Sequence, residues 1–247
     1  MTMKQLVYGR NPVMEWLSAG LPVSKVLIAQ DAGGPTMQEI RAKAISGRIP
    51  VEIVPRLRLN RLAGSDHHQG VAAEVELPSY GELDDLLARA RGKNEPPLIA
   101  VLDGIQDPHN LGAILRSADG AGLHGVVIPK DKSVGLTPAV FKASAGAAAH
   151  VPLVQVTNLA RAMESLQEGG LWLVGADEKA ESKYFQLDYK GPVGIVLGGE
   201  GRGLRRLVRE KCDFLASIPM YGRVNSLNVS VAAGLLFFEA KRQRMFT

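Results

Sequence analysis

The sequence has very little cysteine, since Cys212 is the only one among 247 residues. A disulfide within one chain is therefore excluded, and such low cysteine content is typical of a reducing compartment. Long hydrophobic runs are also missing: none reaches the roughly 18 residues that a membrane-spanning helix needs. The first residues, MTMKQLVYGRNPVMEW, contain no unbroken apolar stretch, so no signal peptide is predicted. We therefore expect a cytoplasmic protein with no membrane partner.

The sequence also has few aromatic residues and no strong excess of positive or negative charge. Aromatic residues make up 5% of the chain, and the formal net charge is only +4. Hydrophobic residues at 46% and charged residues at 22% are ordinary for globular proteins, which excludes a mainly disordered chain. The mildly basic balance, with a pI of about 9.2, is compatible with a nucleic-acid partner.

The residue types that bind metal ions, histidine and cysteine above all, do not cluster in the sequence. His67 and His68 are adjacent and cannot chelate as an i, i+4 helical pair would, so a surface loop is the better interpretation. Cys212 follows a basic segment without an identifiable base nearby, which favours a buried, unreactive thiol. We predict no metal site.

Residues 1–76 are predicted to form a small α/β domain in which helices and strands alternate. Helices are expected over 6–20, 36–49 and from 56 onward, and strands over 23–30, 50–55 and 71–77. The polar segment 77–95, with proline near both ends, is predicted to be a linker carrying a short helix.

Residues 96–247 alternate between apolar strands and helices. Strands are expected over 97–105, 125–130, 152–156, 171–177, 193–199 and 214–220, and helices over 109–122, 136–151, 158–170, 204–212 and 226–244. Continuous apolar runs are typical of parallel strands covered on both faces. The pattern predicts a doubly wound α/β domain, whose ligands bind where strands end.

The first loop after a strand reads DGIQDPHNLGAILRS, residues 103–117. Asn110 and Arg116 are its candidate functional side chains. Because they are six residues apart, they lie about 120° apart on an ideal helix and share no face unless Asn110 precedes the helix. The simpler interpretation is that Asn110 caps the helix and Arg116 is a solvated surface residue.

The second loop, LGGEGRGL at 197–204, contains four glycines within six residues, which allows close approach of a ligand to the backbone. A dinucleotide fingerprint fails, because counting from Gly199 puts Leu204 where the third glycine belongs. Glu200 would repel a pyrophosphate, and no Walker A lysine follows. The loop favours a neutral or cationic ligand; a plain glycine-rich turn is the alternative.

The third loop, IPMYGRVNSLNVSVA at 218–232, leads into the last helix. Ser226 is expected to cap that helix, while Leu227 and Val229 begin its apolar face. Asn228 in the first turn is a poor helix former, so its amide is a candidate for ligand binding. Capping alone is the alternative. In the first domain, Arg56, Arg58 and Arg61 are candidates for phosphate contacts, or else form a solvated helix face.

Together, N-L-G-A-I-L-R at 110–116, V-L-G-G-E-G-R-G-L at 196–204 and the third loop resemble the ordered signature of the SpoU (TrmH) branch of the SPOUT RNA methyltransferases. The N-terminal domain, with Y-G-R-N-P-V at 8–13, is similar to the RNA-binding domain of the RlmB group, which 2′-O-methylates a guanosine of 23S rRNA. The resemblance covers essentially the whole chain.

This resemblance implies a parallel sheet whose C-terminal segment forms a trefoil knot, a homodimer with the active site at its interface, and RNA as partner, with neither DNA nor membrane involved. S-adenosyl-L-methionine would lie in the knot. The residues carried over for binding it are Leu197, Gly198, Gly199, Gly201, Ile218, Met220, Leu227 and Asn228.

The resemblance also carries over a set of catalytic residues, which comprises Arg116, Asn110, Glu200, Ser226 and Asn228. Arg116 would act on the 2′-hydroxyl. An arginine is almost always protonated, so it either stabilises a developing alkoxide or has its pKa lowered in an enclosed site. Glu200 would orient Arg116 or a neighbouring amide.

Two other functions stay open at this stage. A tRNA ribose methyltransferase of the same family would share every motif and differ in its substrate. A non-catalytic RNA-binding or ribosome-assembly protein with the same fold is disfavoured because all the motif residues are retained.

Overall fold

The computed structural model describes residues 2–199 and 201–245, which divide into two compact units, Met1–Ser79 and Tyr80–Thr247. The first unit contains a four-stranded sheet and three helices. Its elements are β1 (Thr2–Tyr8), α1 (Arg10–Ser18), β2 (Val23–Ala29), α2 (Pro35–Ser46), β3 (Val51–Val54), α3 (Arg56–Ala63) and β4 (Val71–Pro78).

The sheet of the first unit is mixed, with strand order β1-β4-β2-β3. β4 pairs antiparallel with both β1 and β2, whereas β2 and β3 are parallel. Leu27, Val54, Leu59 and Ala72 belong to one buried cluster, which joins the sheet to α3. The predicted α/β layering of this region is therefore present.

The predicted helix over 6–20 is wrong in its first part. Residues 2–8 form β1, because their backbone pairs with β4 along its whole length from Thr2 opposite Pro78 to Tyr8 opposite Ala72. Gly9, with φ of 97°, then turns the chain and donates its N–H to the Val71 carbonyl. A positive φ is cheap only for glycine, so the strand ends here and the helix begins at Arg10.

The predicted linker, residues 77–95, is divided between the two units. β4 extends to Pro78, and residues from Tyr80 onward belong to the second unit. α4 (Leu83–Gly92) begins with reciprocal side-chain-to-backbone hydrogen bonds between Glu82 and Asp85. Leu86 of this helix is fully buried among hydrophobic residues of the second unit.

The second unit contains a six-stranded, wholly parallel sheet in the order β10-β8-β9-β5-β6-β7. Its strands are β5 (Leu98–Asp103), β6 (Gly125–Pro129), β7 (Leu153–Val156), β8 (Trp172–Ala176), β9 (Val193–Gly198) and β10 (Phe214–Ala216). Besides α4, its helices are α5 (Pro108–Ala121), α6 (Pro138–Ala143), α7 (Leu159–Glu168), α8 (Arg206–Glu210) and α9 (Val229–Met245).

Helices cover this sheet as the apolar strands predict. Ile99 and Val101 of β5 pack in one cluster with residues of α4, α7 and α8. The alternate residues Leu98, Ala100 and Leu102 are equally buried and point to the opposite face, since side chains alternate along a strand. α5 and α9 pack against each other, and α9 also contacts β9.

The predicted helix over 136–151 is broken. α6 ends at Ala143, and a short 3₁₀ turn follows at Ala147–Ala149. Between them Ala145 and Gly146 have φ of 51° and 90°, values that no right-handed helix accommodates. None of the helices in the described part of the chain is both long and apolar enough to cross a membrane.

Candidate active site

A cleft of about 960 Å³ lies at the carboxyl ends of β8 and β9 and extends to the start of α9. This is the edge at which parallel α/β sheets bind ligands. All the residues predicted to bind a cofactor lie along it: Leu197, Gly198, Gly199, Gly201, Ile218, Met220, Leu227 and Asn228. The second and third loops of the sequence therefore form two walls of one site.

The second loop, whose described residues 199 and 201–204 we call the glycine loop, is folded tightly against β9. A Cβ atom at Gly198 would lie 2.1 Å from the Gly203 carbonyl carbon, and one at Gly199 would lie 2.7 Å from the Gly104 oxygen. Neither position has room for a side chain. The loop closes through a hydrogen bond of 3.1 Å from Gly203 N to the Gly199 carbonyl.

Asn228 and Asn110 are joined directly. Asn228 Nδ2 donates to Asn110 Oδ1 at 2.9 Å, which connects the start of α9 to α5. Asn110 is 6% exposed and lies inside α5, whose N-terminal cap is Asp107 and not Asn110. The interpretation of Asn110 as the helix cap is therefore wrong.

The cap of the last helix is also different from the prediction. α9 begins at Val229, and Asn228 Oδ1 accepts hydrogen bonds from Ser230 N at 2.9 Å and Ser230 Oγ at 2.6 Å. Asn228 thus occupies the capping position expected for Ser226. Ser226 is exposed and lines the cleft.

Arg116 lies elsewhere. It is exposed on α5, and among the described residues it is not one of those that line the cleft. Both Asn110 and Arg116 are within the helix, so the angular separation predicted from their spacing applies: Asn110 points inward and Arg116 outward. Glu200 lies outside the described residues.

Sequence reasoning missed several polar residues in the cleft, chiefly Asp177, Lys179 and Arg209. Asp177 immediately follows β8, so the rule that ligands bind where parallel strands end would have found it. Arg209 Nε donates to Asp177 Oδ2 at 2.5 Å. Burial, the largest single influence, would raise the pKa of Asp177, but the hydrogen bonds and positive charges of Arg209 and Lys179 together outweigh it, so the pKa lies below its ordinary value. The carboxylate is therefore ionised at neutral pH.

The thiol of Cys212, the only cysteine in the sequence, is not available as a nucleophile. Burial raises the pKa of the Cys212 thiol to about 12, which leaves no thiolate at neutral pH. In the part of the chain that the structure describes, no group of three or more metal-ligating side chains comes together. The cleft thus offers backbone groups, amides and charged side chains of both signs, which are Asp177, Glu178, Lys179, Arg202 and Arg209; this set suits a polar organic ligand.

Comparison with known proteins gives two family matches. Residues 97–238 match the SpoU rRNA Methylase family, and residues 6–81 match the family described as RNA 2′-O ribose methyltransferase substrate binding. The two matches fall on the two halves of the chain that carry separate sheets.

Individual relatives cover nearly the full length. The chain is 47% identical to the 23S rRNA (guanosine-2′-O-)-methyltransferase RlmB of Pseudomonas putida, over 99% of this chain and 98% of the relative. It is 46% identical to a putative TrmH family tRNA/rRNA methyltransferase of Bacillus subtilis, over 96% and 95% of the two chains.

Among solved structures, the SpoU methyltransferase AviRb of Streptomyces viridochromogenes, in complex with AdoMet, has a TM-score of 0.68 and 28% identity. The similarity covers 99% of this chain and 92% of that one. The ordered motifs, the shared fold and these full-length similarities lead to one conclusion: the chain belongs to the SpoU rRNA methylase family.

Proposed function

We propose that this protein is an S-adenosylmethionine-dependent enzyme that methylates the ribose 2′-oxygen of a guanosine in 23S rRNA. The observation that carries the proposal is the single cleft in which all eight residues predicted to bind a cofactor meet. The full-length relatives named as 23S rRNA methyltransferases support the choice of substrate. A tRNA substrate is the second candidate, favoured by the Bacillus subtilis relative, whose name includes both RNAs.

The cleft suits S-adenosylmethionine in size and chemistry. Its volume of about 960 Å³ is at the upper end of the range typical of small-molecule and cofactor sites. Leu197, Ile218 and Leu227 supply apolar surface, and the glycine loop exposes main-chain groups without side chains in front of them. When bound, S-adenosylmethionine supplies a methyl group on a sulfonium, a good leaving group, so the protein needs mainly to position the 2′-oxygen and handle its proton.

We assign to Arg116 the stabilisation of negative charge on the 2′-oxygen. A guanidinium is a poor general base because it is almost always protonated, but it donates strongly to a developing alkoxide. A neighbouring phosphate or water then takes the proton. Asn110 and Asn228, linked at 2.9 Å, hold the start of α9 against α5, and Asn228 is itself one of the residues that line the cleft.

The position of Arg116 outside the cleft supports a homodimer whose active site lies at the interface. Val231, Leu235 and Phe238 are exposed apolar residues at helical spacing on α9, and the exposed Leu227 lies just before the helix; we call these four residues the α9 stripe. Phe238 packs over Gly120, one turn after Arg116 on α5, because a methyl group at Gly120 would lie 3.3 Å from its ring. Leu227 belongs to both the stripe and the cleft.

A second copy seated on the α9 stripe would therefore bring its own cleft towards this Arg116. A contiguous exposed apolar face of this kind is typical of a protein–protein interface. In this arrangement each active site combines the cofactor cleft of one subunit with Arg116 of the other.

We further propose that the segment after β9 forms the trefoil knot that the family resemblance implies. The meeting of the glycine loop with residues 218–228 in one cleft supports it. The single cysteine, which excludes a disulfide within the chain, supports residence in the cytoplasm.

The first unit is proposed to bind RNA. α3 carries Arg56, Arg58 and Arg61 without an acidic residue in its first turn. Arg56 pairs with Asp31 and Arg58 with Glu52, so Arg61 is the arginine of this helix best placed for a phosphate. Such contacts are sensitive to salt and carry no sequence information by themselves.

The direct test is deletion of the gene, followed by mass-spectrometric mapping of 2′-O-methylation in 23S rRNA and tRNA. We expect one methylguanosine to disappear from 23S rRNA and to return with the wild-type gene but not with Arg116→Ala. Loss of a tRNA methyl group would replace the substrate and keep the chemistry. Unchanged methylation of both RNAs would overturn the proposal in favour of a non-catalytic RNA-binding protein.

A further inference from the structure

Asp103, the last residue of β5, holds both ends of the glycine loop. Its main-chain carbonyl accepts a hydrogen bond from Gly199 N at 3.0 Å. Its carboxylate accepts one from Arg205 N at 2.8 Å and one from Arg205 Nε at 2.5 Å. One residue therefore fixes where the chain leaves β9 and where it enters α8.

The two partners of this ion pair differ strongly in burial. The Asp103 side chain has 0% exposure, whereas the Arg205 side chain is half exposed. A buried carboxylate needs its hydrogen bonds, because it has lost the water that would otherwise satisfy it. The Arg205 guanidinium and backbone N–H together supply them, which leaves the loop little freedom at this end.

A second ion pair lies one helical turn later. Arg209 is four residues after Arg205, and its Nε donates to the Asp177 carboxylate at 2.5 Å. Asp177 also accepts a hydrogen bond of 2.8 Å from Lys179 N, which fixes its orientation after β8.

The strand order shows what the two ion pairs have in common. β9 lies between β8 and β5, so the two arginines tie α8 to the carboxyl ends of the strands on both sides of β9. The glycine loop emerges from β9 between them. By contrast, the exposed Arg206–Glu210 pair on the same helix joins two residues within α8 and anchors nothing outside it.

We propose that the pairs Asp103–Arg205 and Asp177–Arg209 form a loop clamp that holds the glycine loop in the conformation that binds the cofactor. Asp103 and Arg205 are positioning residues, since neither is among the described residues that line the cleft. Glycines give the loop many accessible conformations, so without the clamp only a fraction of molecules would be competent to bind. This inference rests on the proposed function for the identity of the cofactor.

The test compares Asp103→Asn, Arg205→Gln and the double variant with Arg206→Gln as the matched control on α8. Calorimetry measures affinity for S-adenosylhomocysteine, hydrogen exchange follows the backbone of residues 198–205, and kinetics separate kcat from the KM for S-adenosylmethionine. Thermal unfolding identifies any variant that has lost its fold.

In folded Arg205→Gln we expect S-adenosylhomocysteine affinity to fall about tenfold or more and exchange in the loop to accelerate, with KM rising more than kcat falls. The double variant should recover part of the affinity, because it no longer leaves a buried charge unpaired. Arg206→Gln should match the wild type.

Affinity and loop exchange within about twofold of the wild type in folded Asp103→Asn and Arg205→Gln would overturn the loop clamp. If both single variants fail to fold, the double variant decides by the same two measurements. A wild-type protein that does not bind S-adenosylhomocysteine would count against the proposed function, whereas the exchange comparison would still decide whether the clamp orders the loop.

Discussion

At the scale of single residues, the role proposed for Arg116 allows catalysis to be tested separately from cofactor binding. It is exposed on α5 and lies apart from the described residues that line the cleft. We expect Arg116→Ala to lower kcat by about a hundred- to a thousandfold, the usual cost of one lost donor to a developing oxyanion. Affinity for S-adenosylmethionine should stay within a few-fold.

Methylation of an RNA transcript and calorimetry with the cofactor measure the two effects separately. Arg161→Ala, at another exposed arginine on α7, is the control and should leave both unchanged. Normal turnover by Arg116→Ala would show that its assigned role is wrong.

Gly198 has a different role from the one its motif alone suggests. Close approach of a cofactor to the backbone is one reason for a glycine, but here a Cβ atom would collide with Gly203 and Leu204 of the same chain. We expect Gly198→Ala to displace the glycine loop and to weaken S-adenosylmethionine binding by at least about tenfold. Gly92→Ala, where a Cβ would meet nothing within 4 Å, is the control. Unchanged affinity in Gly198→Ala would contradict the tight loop.

Several of the residues that line the cleft could be predicted from the sequence, whereas the contacts that hold these residues in place could not. Leu197, Ile218 and Leu227 follow from ordered motifs next to strand ends. The Asp103–Arg205 pair joins residues 102 positions apart, and no local pattern couples an aspartate at the end of one strand to an arginine before a distant helix. Such pairs become visible only when strand order is known.

At the scale of elements, apolar periodicity predicted the strands of the large sheet, because both faces are buried. It failed for β1, whose residues TMKQLVY become a strand only by pairing with β4. Periodicity also failed to predict where the helix over 136–151 is interrupted, because this depends on the positive φ angles of Ala145 and Gly146 after α6. Tertiary pairing and single positive φ angles lie outside what helical and strand periodicity can detect.

Arg244 makes the largest set of hydrogen bonds that hold the end of α9 among the residues the structure describes. Arg244 donates to the main-chain carbonyls of Tyr189, Pro96, Pro97 and Gly191 at 2.6–3.0 Å. These carbonyls lie in the segments before β5 and β9, so Arg244 joins the last helix to the amino ends of two central strands. Burial lowers the pKa of its guanidinium to about 10, which still leaves it charged at neutral pH.

We expect Arg244→Ala to lower the free energy of unfolding by about 2–4 kcal/mol, since four charge-assisted hydrogen bonds to main-chain carbonyls are lost. As the control, Arg206→Ala removes the exposed i, i+4 pair with Glu210 and should cost less than about 0.5 kcal/mol. Urea unfolding measures both. Equal stabilities of the two variants would refute this role of Arg244.

At the scale of the whole molecule, each unit has its own sheet, and the two family matches assign them different tasks. We expect a protein consisting of residues 80–247 to bind S-adenosylhomocysteine like the full chain, because the entire cleft lies in that unit. Its affinity for the RNA substrate should fall at least about tenfold and its salt dependence should weaken. Equal RNA affinity in the two proteins would contradict the proposed division of labour.

The proposed homodimer makes the sharpest prediction at this scale, because it would distribute one active site over two chains. Arg116→Ala subunits keep an intact cleft, and Asn228→Ala subunits keep Arg116 but lose the amide at the cleft and its bond to Asn110. Each variant should be inactive alone. If Arg116 acts across the interface, a mixed dimer contains one complete site, made of the cleft from the first chain and Arg116 from the second.

Mixing the two variants after subunit exchange should therefore restore up to about a quarter of wild-type methylation, since random pairing makes half the dimers mixed and each has one of two sites. Light scattering of the mixture verifies that dimers are present. If Arg116 acts within its own chain, no mixed dimer contains a complete site and activity stays at background. That outcome would separate the α9 stripe from catalysis even if the stripe proves to be the dimer interface.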